Sequence, residues 1–201
     1  MTILQGLRII DQAGLPHPEW EFVRNSKDLK KFPKIKDYAG WTIRTVEVKN
    51  GPWKNLYANW LPKKKVLPRI DELQKEQRGR ALFVVYPSWK WKKGGTILIE
   101  KDRVVTEAVK GQIEDLMRRG RVDASYFYRK GRLMHATGNK SFLTASEKRK
   151  ILQASRKLKL KDVILEWGVT TQDKFIFYRI ENIREAAKLL LEKYERPIHN
   201  S

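Results

Sequence analysis

Between Gly94 and Tyr128 the hydrophobic pattern changes period three times. Residues 96–100 and 103–107 are β-branched runs joined by the polar Lys101-Asp102 pair, which predicts a hairpin. Beyond Gly111, Ile113, Leu116 and Met117 recur at helical spacing, so a short helix is expected over 112–119, stopped by Gly120. Residues 122–128 return to an aromatic strand. Glu107 falls where strand gives way to helix, a place where a carboxylate and backbone amides can meet a ligand.

The rest of the chain reads in the same way. A helix is expected over 3–13 with Ile3, Leu7 and Ile10 on one face, followed by the rigid connector Leu15-Pro16-His17-Pro18. Residues 20–23 read as a strand, and Ser26 as the cap of a short helix reaching Phe32. Residues 41–48 alternate strongly. Trp41, Ile43, Thr45 and Glu47 face one way, and Thr42, Arg44, Val46 and Val48 the other, so Arg44 is a charge in an apolar strand that needs a partner. Asn50-Gly51-Pro52 predicts a turn and 56–61 a strand. A helix is expected from Pro68 to Gln77, then a buried strand over 80–86 stopped by Pro87. Lys130-Gly131 predicts a turn into a strand over 133–137. Thr144 with Glu147 forms a capping box for a helix ending near Leu158. Strands follow over 162–169 and 175–180, and Asn182 with Glu185 opens a last helix with Ile183, Ala186, Ala187, Leu190, Leu191 and Tyr194 on its apolar face.

Composition adds a partner to this outline. The 201 residues carry 43 Lys and Arg against 23 Asp and Glu, a net charge of +20, with seven Trp and seven Tyr. Such an imbalance is the electrostatic footprint of a polyanion binder, RNA above all, although a lysine-rich thermophile surface would also be basic. Clusters lie at Lys30, Lys31, Lys34 and Lys36, at Lys63-Lys64-Lys65, and at Lys157, Lys159 and Lys161. The segment Trp89, Lys90, Trp91, Lys92, Lys93 reads as an exposed loop with both indoles on one face and cations on the other, suited to stacking on unpaired bases. Equally, the two tryptophans would cap the core with the lysines in solvent. Arg118, Arg119 and Arg121 extend the basic side. Cysteine is absent, which excludes disulfides and thiol chemistry, and His17, His135 and His199 have no metal spacing. No membrane span or leader is legible, so a cytoplasmic protein is expected.

In order and spacing the chain resembles the ATP-binding region of pyruvate phosphate dikinase and phosphoenolpyruvate synthase. Ala13-Gly14-Leu15-Pro16-His17-Pro18 is similar to that family's A-G-L-P-x-P. Trp41 to Thr45 resembles its phosphate-arginine strand, Thr106 to Gly111 the start of its I-E-A-x-x-G-L-G-E helix segment, and Ile164 to Trp167 its D-I-E-W. The resemblance implies an α+β, ATP-grasp-like fold, two lobes of antiparallel sheet with flanking helices, one spanning 1–86 and the other 87–201. It implies ATP and Mg²⁺, with nucleotide contacts from Arg44, Glu107 and Arg179 and metal contacts from Glu166 and Glu181.

The sequence also departs from that pattern. Residues 1–7 lack the family's glycine pair and phosphate lysine, and Arg179-Ile180-Glu181 stands where the family has Gln-x-Arg. The leading expectation is an ATP-grasp-like nucleotide-binding protein whose strongly basic surface binds RNA, and an ATP-dependent kinase or ligase for an acidic or phosphorylated substrate is one alternative. An RNA- or ribosome-associated protein with a vestigial cleft, its arginines and glutamates paired with one another, is the other.

Overall fold

The computed structural model describes residues 1–29, 32, 38–48 and 57–184. The turn expected at Asn50-Gly51-Pro52, the cluster Lys30, Lys31, Lys34 and Lys36, the last helix beyond Arg184, and His199 lie outside the described residues.

Among the described residues, two antiparallel sheets and four α-helices make up an α+β fold, as the sequence indicates. The small sheet has the order β1 (Glu21–Val23), β4 (Ala81–Ser88), β2 (Gly40–Val48), β3 (Tyr57–Leu61). The large sheet runs β10 (Phe175–Asn182), β9 (Val163–Thr170), β5 (Trp91–Glu100), β6 (Arg103–Lys110), β7 (Ala124–Arg129), β8 (Arg132–Gly138). Its middle is the hairpin–helix–strand stretch: β5 and β6 meet around Lys101-Asp102, and Gly120 caps α3 (Glu114–Arg119) at φ 65°. The last strand of the small sheet along the chain ends at Ser88, and the first strand of the large sheet starts at Trp91.

Each sheet covers one face with a helix. α2 (Lys63–Glu76) buries Val66, Ile70 and Leu73, and Trp41, Ile43, Phe83 and Val85 of the small sheet belong to the same core. α4 (Ala145–Leu158) buries Ile151, Ala154 and Leu158 in one core with Ile97, Tyr126, Leu165 and Trp167 of the large sheet. The Thr144–Glu147 capping box forms as predicted. α1 (Ile3–Gln12) belongs to neither lobe alone. Its Leu7 sits with Val84 and Tyr86, while Ile10 joins the large-sheet core. The connector after α1 runs along β10, where Phe177 N–H donates to Pro16 O at 2.8 Å.

Several local expectations are corrected. α2 begins at Lys63, not Pro68, so the Lys63-Lys64-Lys65 run forms its first turn and Pro68 sits inside. Pro68 cannot donate its helical bond, yet the helix runs through it with Val66, Ile70 and Leu73 buried on one face. Pro87 does not stop β4, which continues to Ser88. β1 pairs only with Phe83 to Val85, so β4 is an edge at Pro87 and the missing N–H costs no ladder bond there. After β1, a single 3₁₀ turn (Ser26–Asp28) replaces the short helix, and Asn25 rather than Ser26 caps it. No helix among the described residues is long and apolar enough to cross a membrane.

Candidate functional site

The faces of the two sheets turned away from α2 and α4 border a cleft of about 200 Å³. Strand alternation decides what lines it. β2 turns Trp41 and Ile43 toward α2 and therefore presents Thr42 and Arg44 to the cleft, beside Tyr86 and Ser88 of β4. The large sheet contributes Trp91, Glu166, Tyr178 and Arg179, and α3 contributes Glu114 and Arg118. Thus Arg44, Glu166 and Arg179, far apart in the chain, reach one site from both lobes.

Arg179 holds this site together. Its Nη1 lies 3.3 Å from Glu166 Oε1, and its other amino group pairs with Glu181. Glu166 is 6% exposed. Burial pushes its carboxyl above the ordinary range, and the Glu181 charge adds to this, while Arg179 and Arg44 pull the other way. Burial opposes the charge of Arg44, but Tyr86, Glu166 and Glu181 outweigh it and hold its pKa above the ordinary value. Burial also raises both cleft phenols, Tyr86 against the pull of Arg44, and Tyr178 with the Glu166 and Glu114 charges adding to it. Arg44 is therefore charged at neutral pH, and both tyrosines keep their protons.

The cleft is short of acceptors. Arg44 Nε, Arg179 Nε and Trp89 Nε1 are buried with no hydrogen-bond partner among the described residues. All are donors, and an unmatched buried donor costs roughly 1–3 kcal/mol. A ligand bearing anionic oxygens would satisfy them, and a guanidinium fork suits a phosphate.

Magnesium fits the same residues poorly. Glu166 and Glu181 both lie on Arg179, and no group of three or more acidic or histidine side chains among the described residues could hold a metal. Mg²⁺ requires near-octahedral oxygen ligation, and the guanidinium already supplies positive charge between these carboxylates.

The other expected site residues separate. Glu107 shares a cross-strand row with Arg179, Glu166 and Thr96, but stands two strands from Glu166, roughly 10 Å across the sheet, and outside the cleft. The 89–93 segment is not an exposed loop, which corrects the sequence expectation. β4 ends at Ser88 and β5 starts at Trp91, so Trp89 and Lys90 only link the sheets. Both indoles share a side, as alternation requires, but that side is the cleft. Trp89 is 5% exposed, and Trp91 stacks on Tyr178 with ring centroids 5.3 Å apart. Lys90 is exposed, Lys92 pairs with Asp173, and Lys93 is held by Glu147 and the Phe142 carbonyl. Arg118 lines the cleft, whereas Arg119 pairs with Asp115 and Arg121 with Asp115 and Asp123.

Sequence reasoning missed Tyr86, Tyr178, Thr42 and Ser88 as cleft residues. Thr42 and Tyr86 are cross-strand partners, so the face of Arg44 pointed to both once β2 and β4 were paired. Tyr178 is the unpaired residue of a bulge between Phe177 and Arg179, and strict alternation hides it.

No protein-family model matches the sequence, and no curated protein matches it. Solved structures do. The macrocyclase MdnC of Microcystis aeruginosa MRC, bound to its precursor peptide MdnA, superposes with a TM-score of 0.53 at 16% identity, over 90% of this chain and 52% of that one. The ADP complex of the N5-carboxyaminoimidazole ribonucleotide synthetase purK gives 0.52 at 11% identity, over 90% of this chain and 44% of that one. The L-amino acid ligase of Bacillus licheniformis gives 0.50 at 11% identity, over 89% and 39%.

The fold is ATP-grasp. The chain spans about half the length, or less, of these ATP-grasp structures.

Proposed function

We propose that the chain binds the phosphates of ATP or ADP in the cleft between its sheets, as a nucleotide-binding protein of the ATP-grasp ligase type. The observation that carries this reading is the set of buried, unpartnered donors on Arg44, Arg179 and Trp89. Purine nucleotide use comes by likeness of fold, one matching synthetase having been solved with ADP. The closer kinship with the dikinase nucleotide region belongs to the same proposal and rests on the order of Arg44, Glu107 and Glu166 along the chain.

In this reading Arg44 and Arg179 grip phosphate oxygens from opposite lobes, and Trp91 on Tyr178 forms an apolar wall beside them. Glu166 and Glu181 orient Arg179 rather than hold a metal. The guanidinium supplies the positive charge that a divalent ion would otherwise bring, so binding needs no Mg²⁺.

Thermal denaturation with ADP and ATP, each with EDTA or with Mg²⁺, tests this. The expected result is a rise in Tm with either nucleotide that persists in EDTA. A melting curve that neither nucleotide moves would overturn the reading. The paired charges would then only brace β9 against β10.

A further inference from the structure

A second concentration of positive charge among the described residues lies away from the cleft. It surrounds a crevice of about 310 Å³ at the far end of the large sheet, between two hairpin turns and the end of α4. Lys101, Lys130, Arg156, Lys159 and Lys161 line it, all five exposed. Among the described residues none of the five forms an ion pair, whereas the neighbouring Arg103 and Arg129 are matched by Glu100 and Asp102.

The crevice is held in shape by contacts between its turns. Lys130 N–H donates to Asp102 O at 2.8 Å, which ties one hairpin turn to the other. Gly131, at φ 77°, leaves room for Arg156. A Cβ there would come within 2.9 Å of the guanidinium.

A second observation is independent of charge. Lys101, Lys130 and Lys159 have φ of 25°, 47° and 50°, and they are three of the seven non-glycine residues with positive φ among the described residues. Lys130-Gly131 occupies a two-residue hairpin turn where Asn-Gly would be favoured. Lys159 caps α4 where glycine is usual. A side chain with four carbons gains nothing locally from such backbone, so lysine stands at these turns against local conformational preference.

We propose that this crevice binds the phosphate backbone of RNA. Its cations line a concave crevice, which suits a chain of phosphates better than a flat lipid surface. No aromatic side chain lines it, so it offers no stacking platform and binding is indifferent to base sequence. Asp102 also lines the crevice. A carboxylate works against phosphate but accepts a ribose 2′-hydroxyl, the group that separates RNA from DNA. The site is distinct from the nucleotide cleft and stands whether or not that cleft binds ATP.

The test is fluorescence anisotropy of the full chain with a labelled oligouridylate, titrated from about 50 to about 200 mM salt. Five phosphate contacts on a single strand predict a log–log slope of about −3 to −4. The variant Lys101→Asn, Lys130→Asn, Lys159→Gly places favoured residues at the three strained positions. Its Tm is expected to be unchanged or higher, while RNA affinity falls at least tenfold and the slope shrinks by about 2. The charge-matched control Lys64→Gln, Lys65→Gln, Lys75→Gln, on exposed positions of α2, is expected to stay within about twofold because it touches no predicted phosphate contact. Wild-type protein that binds no RNA, an affinity untouched by the crevice variant, or an equal loss in the control would each overturn the proposal. Equal affinity for the matching DNA would overturn the assignment to RNA.

Discussion

Arg179 on β10 faces Glu166 on β9 in register, and the same guanidinium pairs with Glu181 two residues further along its own strand. One cation therefore closes two carboxylates on one face of the sheet, at the floor of a cleft that Arg44 enters from the other lobe. Removing a single member of a buried pair is costly, because the charge left behind keeps its desolvation penalty without its partner.

Arg179→Met should thus lower stability by about 3 kcal/mol, since Glu166 and Glu181 then face each other without the cation. Adding Glu166→Gln should recover a sizeable part of the loss by removing one of the two opposed charges. Urea denaturation of the single and double variants measures the coupling. Purely additive losses would show that the three side chains do not act as a unit.

The pH dependence of Glu166 has a definite sign. Burial raises its folded pKa above the ordinary 4.5, so the native state binds this proton more tightly than the unfolded chain does. The stabilisation from that proton is complete below 4.5 and is lost as pH rises through the raised folded value. Glu166→Gln imitates the protonated form at every pH. The stability difference between variant and wild type should therefore move in favour of the variant as pH increases, and the two should converge under acid. A gap that is constant, or that moves the other way, would remove Glu166 as the titrating group.

Much of the fold was legible because its signals are local. The Lys101-Asp102 turn, the Thr144–Glu147 cap, the Gly120 stop and the alternation of β2 each depend on a few neighbouring residues. Arg44 stood out for a physical reason, as a charge on a strand that is otherwise half apolar. What stayed hidden depends on pairing between distant segments. Trp89 and Trp91 read as an exposed aromatic loop because nothing local shows that β4 and β5 belong to different sheets that border one cleft. Pro68 and Pro87 were read as boundaries, which their own backbone chemistry favours, but α2 runs through Pro68 with its apolar face buried, and β1 is too short to pair at Pro87. The basic crevice was also hidden, since Lys101, Lys130 and Lys159 come together only through the tertiary fold.

The tryptophan wall of the cleft depends on Gly168. A Cβ at that position of β9 would run into the Trp91 ring, which itself stacks on Tyr178. Gly168→Ala should cost about 1–3 kcal/mol through overpacking, and it should shift the tryptophan emission as the indole is displaced. Trp91→Leu in the same chain should relieve most of that cost by removing the ring that the new methyl group meets. If Gly168→Ala folds with unchanged stability and emission, the indole does not lie over β9.

Arg44 gives the sharpest test of the cleft. Its guanidinium is charged, its Nε has no partner among the described residues, and a phosphate would take the fork bidentately. Arg44→Lys preserves the charge but not the fork, and a lysine reaches phosphate only as a point charge. ADP affinity measured by titration calorimetry in EDTA should fall at least tenfold, equivalent to about 1.4 kcal/mol. Arg44→Met should abolish detectable binding while Arg179, Glu166 and Glu181 remain paired. The same titrations in Mg²⁺ should give the same ranking, because the cation in this cleft is part of the chain. Nucleotide affinity unchanged in Arg44→Lys would place the phosphates elsewhere. Affinity that appears only with Mg²⁺ would show that Arg179 gives way to the metal instead of replacing it.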